Sequence, residues 1–112
     1  MKDEMKKLIN KSKLTKEELN SFFEARSQID HKLDHSRAYR TMMNETRREL
    51  LKFIGYDVRS LDDIKTEFTQ EVDQINYHLS MLKQCLYVIE SNEGWKSTPR
   101  GLGFLENARL GD

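Results

Sequence analysis

His31 and His35 stand four residues apart in the run Asp30-His31-Lys32-Leu33-Asp34-His35. On a helix that spacing puts both imidazoles on one face, one turn apart, as pairs of divalent-metal ligands often are. A third ligand would have to be His78, on a different predicted element. The hydrolytic form of such a pair needs Glu directly after the first His, and Lys32 stands there. The run reads as a solvated polar face, with no metal or other cofactor expected.

A second cluster is cationic. Arg37, Arg40, Arg47, Arg48 and Lys52, followed by Arg59, face only Glu45, Glu49 and Asp57 among their sequence neighbours. Guanidinium groups at this density can bind phosphate as bidentate forks. They can equally pair with the acidic stretch Asp62, Asp63, Glu67, Glu71 and Asp73 if an antiparallel neighbour brings it alongside. Surface pairs of that kind fix helix pairing while adding about 0–1 kcal/mol each. The candidate surface for a nucleic acid or a protein partner is Arg37, Arg40, Arg47, Arg48 and Lys52, with Arg37 and Arg40 among the members lying beyond the acidic stretch. Lys2, Lys6, Lys7, Lys11, Lys13 and Lys16 could extend that surface.

Nucleophilic catalysis has no evident constellation. Cys85 falls on an apolar helix face, where a thiol is usually a packed hydrophobe. Gly94, Gly101 and Gly103 lack the spacing of a phosphate loop. Glu17 with Glu18 and Asp62 with Asp63 sit at predicted helix starts, where the helix dipole accounts for them. No catalytic residue is assigned, and binding is expected rather than catalysis. In the tail, Trp95, Lys96, Arg100 and Phe104 interleave aromatic and basic groups, a composition suited to stacking on bases or docking on a partner. The favoured alternative is that Trp95 and Phe104 fold back over the core.

The elements that must position these groups are helical. Five Gly and one Pro punctuate the chain, at Gly55 and from Gly94 onward, and leave two long uninterrupted stretches. Thr15 with Glu18 has capping-box spacing and opens helix one, which is expected over 15–54. Its stripe runs Phe22, Ala25, Ile29, Leu33, Ser36, Tyr39, Met43, Thr46, Leu50 and Phe53 in three- and four-residue steps, thinning between Asp30 and Arg40, where a kink is one option. Ser60 with Asp63 opens helix two over 60–91, with Leu61, Ile64, Phe68, Val72, Ile75, Leu79, Leu82, Leu86 and Ile89 at the same steps.

From Tyr77 a second apolar row, Met81, Cys85 and Val88, widens that face. It calls for cover from Met5, Leu8, Ile9 and Leu14, from the tail, or from another subunit. The expected fold is all-α: an antiparallel hairpin of two long helices, completed as a bundle by self-association. A short helix or arm over 1–14 precedes it, and a loop plus short helix over 92–112 follows, the whole forming one domain of 112 residues.

Lys plus Arg and Asp plus Glu both count 19, so net charge is zero and no global field draws the protein to nucleic acid or anionic membrane. The apolar runs are too short to span a bilayer or form a signal peptide, and one Cys allows no internal disulfide. A cytoplasmic protein is expected.

A long charged helix, a second helix ending in Tyr77…Cys85-Leu86…Ile89…Ser91, and a Gly-aromatic tail together resemble the recombination mediators of T4-like phages. The resemblance covers the last third of the chain, departs from the family at Pro99 and the extra glycines, and carries over no site residues. It implies a nucleic-acid-binding accessory role for the stripe between Arg37 and Lys52. The chain by itself reads first as a small interaction protein, an adaptor, modulator or inhibitor of a protein partner. A phage or mobile-element accessory protein would have this character.

Overall fold

The computed structural model describes residues 2–110. Along them run α1 (Lys2–Lys11), α2 (Lys16–Ser27), α3 (His31–Met42), α4 (Glu45–Ile54), α5 (Leu61–Glu67), α6 (Val72–Gln84), β1 (Val88–Ser91), β2 (Gly94–Ser97) and α7 (Pro99–Leu110). The structure is mostly helical, as the sequence predicts, but the two long helices do not form and a small sheet does.

The predicted helix one is three helices. The Thr15–Glu18 capping box opens α2 as expected. The chain then breaks where two side chains compete for backbone N–H groups. Asp30 Oδ1 accepts from the N–H groups of Lys32 and Leu33 at 3.1 and 3.2 Å, and Asn44 Oδ1 accepts from Arg47 N–H at 3.1 Å. Each is an N-cap that starts a new helix. The apolar stripe survives the breaks only in part, with Leu33, Tyr39 and Met43 exposed.

The predicted helix two is α5, a turn, α6 and a strand. Its start at the reciprocal Ser60–Asp63 cap is as expected. Helix α5 ends at Glu67, Phe68 turns extended, and residues 68–71 lead to α6 without any Gly or Pro. Apolar spacing persists through this turn because Phe68 itself packs inward, edge-on to Phe53 at 5.8 Å between ring centroids. Past α6, Leu86 N–H bonds to Lys83 C=O at 3.0 Å and Tyr87 N–H to Leu82 C=O at 2.9 Å. That pair of bonds is a Schellman motif, with Leu86 in the left-handed position at φ 61°. A β-branched or leucine side chain is rarely found there, so the stop carries no Gly or Asn signal.

Val88 and Ile89 then form β1, paired antiparallel with β2 in the register Val88↔Ser97 to Ser91↔Gly94. The two-residue loop is secured by Ser91 Oγ, which accepts from Glu93 and Gly94 N–H and donates to Gly94 C=O. On its other edge β2 meets the connection between α4 and α5. Arg59 and Trp95 exchange both backbone hydrogen bonds, at 3.0 and 2.7 Å. Gly94 makes that approach feasible, since its φ is 140° and a Cβ would stand 2.6 Å from Arg59 O.

The tail, expected as a loop and short helix, thus supplies a strand and a full helix. Pro99 is its first residue, where a missing N–H costs nothing, and Thr98 Oγ1 accepts from Gly101 N–H at 3.1 Å. The core sits between α4, α5, α6, the hairpin and α7. Leu50, Leu51, Ile54, Ile64, Ile75, Leu79, Leu82, Val88 and Leu102 are completely enclosed there. Helix α1 packs on α7. No helix among the described residues is long and apolar enough to cross a membrane.

Candidate nucleic-acid interface

Helix α6 is two-faced. Ile75, Leu79 and Leu82 point into the core, while Asp73, Gln74, Asn76, Tyr77, Ser80, Lys83 and Gln84 are exposed. Residues 68–71 lead from α5 into α6, and β1 begins at Val88, shortly after α6 ends at Gln84. The exposed face therefore presents amide, hydroxyl and carboxylate groups on a rigid helix. These are the groups that read base edges: Asn and Gln bidentate on adenine, and an acid accepting from cytosine.

The arginine cluster divides into two pairs. Arg47 and Arg48 are consumed inside the protein, because the break after α3 leaves carbonyls without helical partners. Arg47 Nη1 donates to Thr41 O at 3.4 Å and Arg48 Nη1 to Met42 O at 2.7 Å. Arg47 also donates from Nε to His78 Nδ1 at 3.1 Å, with its guanidinium 5.4 Å from the centre of the Tyr77 ring. Burial, then the Arg47 charge, hold His78 below the ordinary histidine range, which keeps Nδ1 free to accept.

Arg37 and Arg40 are exposed on α3 and make no ion pair or side-chain hydrogen bond among the described residues. They line an open groove of about 450 Å³ together with Met81 and Gln84 of α6. Lys52 is exposed on α4. The anticipated pairing of this stripe with the acids of α5 and α6 does not form. The ion pairs among the described residues are Arg59–Asp57, Lys83–Glu90, Lys96–Glu18 and Arg100–Asp34. Helix α4 does lie beside the acidic segment, with Gln70 Nε2 donating to Thr46 Oγ1 at 3.3 Å, but the acids there form no ion pair with the stripe among the described residues.

The tail residues turn inward. Trp95 is 8% exposed in the core, and Phe104 packs edge-on to Tyr87 with ring centroids 6.0 Å apart. Arg100 clasps Asp34 with two bonds of 2.8 Å, donates to Cys85 O at 2.7 Å and lies over the Tyr87 ring. The Arg100 bonds, joined by its charge, hold the Asp34 carboxyl below the ordinary aspartate range. Lys96 is buried and bonded to Glu18 at 2.9 Å.

His31 and His35 are exposed on α3 and His78 lies on α6, so the three do not meet. Among the described residues no group of three His, Cys, Asp or Glu side chains is placed to hold a metal. Cys85 is buried, its Sγ 3.3 Å from Thr41 Oγ1. Lys2, the first of the N-terminal lysines, has its side chain outside the described set.

Sequence reasoning passed over Gln74, Asn76 and Ser80 and read Tyr77, which is exposed, into an apolar row. Their signal is that Tyr77 and Ser80 fill the side of α6 opposite Ile75, Leu79 and Leu82, with Gln74 and Asn76 on its two flanks. A second signal follows them: Val88-Ile89, then Ser91-Asn92-Glu93-Gly94, is a strand and turn pattern. Comparison with known protein families, with curated proteins and with solved structures finds no match to the chain.

Proposed function

We propose that the protein is a DNA-binding module of winged helix-turn-helix type, with α6 as the helix that enters the major groove. The observation that carries this reading is the arrangement of α5, a four-residue turn and α6, with a hairpin following at once and pairing back to Arg59. A helix-turn-helix places its second helix in the groove, with the N-terminal residues of that helix on the base edges. Gln74, Asn76 and Tyr77 occupy those positions and are exposed. A net charge of zero adds little non-specific attraction, so recognition rests on this face. The function is then binding and regulation, in the nucleic-acid class that the arginine stripe raised.

Selection from a randomised duplex pool should enrich one short sequence. Gln74→Ala and Asn76→Ala should each relax preference at one position, by about 1–3 kcal/mol, with the melting temperature unchanged because both side chains are exposed. A pool that emerges unenriched would remove the reading.

A second reading, interaction with a protein, is favoured by Tyr39 and Met43, which are 65% and 62% exposed and four residues apart on one side of α3 and its cap. The pair suits a second copy of the chain first, and paired copies would offer two α6 helices to adjacent half-sites. Sedimentation velocity should show a dimer that Tyr39→Glu with Met43→Glu dissociates. A monomer at every concentration would exclude self-association.

A further inference from the structure

Resting on the reading that α6 enters the major groove, we propose that Arg37 and Arg40 bind the DNA backbone beside α6, while the hairpin stays off the duplex. The geometry begins with length. Helix α6 has 13 residues, so at about 1.5 Å per residue it is about 20 Å long. The major groove is about 12 Å wide. With the first turn of α6 on the bases, its last turns emerge over a sugar-phosphate strand. Met81 and Gln84 lie on those turns, and with them Arg37 and Arg40 line the open groove.

The remaining cations nearby are committed elsewhere. Arg47 is held by His78 and Thr41, and Arg48 by Met42. Lys83, on α6 itself, stands 3.7 Å from Glu90 of β1. Among the described residues, Arg37 and Arg40 on this side keep their forks open, and a fork of N–H donors matches the geometry of a phosphate.

The hairpin has the opposite character. Its exposed charges are Glu90 and Glu93, and the one lysine in its strands, Lys96, is buried against Glu18 with its side chain 5% exposed. Glu90 already has Lys83 as its partner, so Glu93 is the hairpin's unpaired charge among the described residues; beside a phosphate strand it repels, and no hairpin cation is free to offset it. In this protein the phosphate grip therefore moves from the hairpin to α3, on the other side of α6.

The test is fluorescence anisotropy with the duplex that selection enriches, over a series of salt concentrations. Each phosphate contact contributes about 0.9 to the slope of log K against log salt. Arg37→Ala with Arg40→Ala should flatten the slope by about 2 and weaken binding at low salt, with an unaltered circular dichroism melt. Glu93→Lys should leave affinity unchanged near physiological salt, where charges more than about 8 Å away are screened. If the wild-type protein binds and the arginine variant keeps its slope, the proposal falls and the helix-turn-helix reading stands. Tighter binding by Glu93→Lys would likewise place the hairpin on the DNA and overturn the proposal. Failure of the wild-type protein to bind any duplex would remove the underlying reading and this inference with it.

Discussion

Deleting residues 93–112 is expected to unfold the protein rather than loosen its end. The deleted segment carries Trp95 and Leu102, both core residues, together with the buried Thr98 and Pro99. Its loss leaves β1 without a partner and removes both backbone bonds at Arg59. Tyr87 and Val88, now enclosed, would meet water. Each large apolar side chain taken from a core costs about 1.5–3 kcal/mol. Two removed and two uncovered approach the whole stability of a small domain, about 5–15 kcal/mol. Far-UV circular dichroism should lose its cooperative melt, and an unchanged melting curve would contradict the inward packing of the tail.

The second large effect is expected at the clasp between α3 and α7. Arg100→Ala removes both bonds to Asp34 and the bond to Cys85 O, leaving a carboxylate whose side chain is 21% exposed. Breaking a buried pair costs about 3–5 kcal/mol, and the residual water contact here puts the expected loss at about 2–3 kcal/mol. Asp34→Asn should cost a similar amount, and the double variant less than the sum, because the two act as one unit.

The same clasp sets an acid limit. Asp34 titrates below its unfolded value, so its contribution is fully present above about pH 4. It is lost as pH falls through the lowered folded value. His78, also depressed, acts in the same direction nearer neutrality. Its contribution begins to fade below about pH 6.5 and is gone once pH has fallen through its own folded value. Thermal melts across this range should fall in two stages, with the lower stage smaller but not absent in Asp34→Asn, because the Glu18 carboxyl is also held below its ordinary range.

How far the sequence carried is clear from single residues. The Thr15 and Ser60 caps were legible because a side chain and its partner three residues on make a local, reciprocal bond. The core residues Ile64, Ile75, Leu79 and Leu82 were legible because their spacing is helical. The same spacing concealed the turn at 68–71, since Phe68 keeps the apolar rhythm while its backbone is extended. Leu86 concealed the end of α6 by taking a left-handed position where Gly or Asn would have announced it. With those two breaks hidden, Val88 and Ile89 read as further helix, and the hairpin disappeared into helix two.

The site followed the same logic. The arginine cluster was visible as composition, but which members are free depends on the break at Asn44, which exposes the carbonyls that Arg47 and Arg48 bind. Arg100 and Trp95 were visible as a basic and aromatic tail, and only tertiary packing assigns them to the interior. Gln74 and Asn76 carry no motif of their own. They gain meaning from the turn that precedes α6 and the hairpin that follows it.

The most direct test of DNA binding through α6 is an amide-resolved NMR titration of the whole protein with the duplex that selection enriches. The expected result is that shifts concentrate on residues 72–84, with a second group around Arg37 and Arg40, while Asn92 and Glu93 stay unmoved. Shifts confined to other surfaces, with the amides of α6 unaffected, would contradict the account.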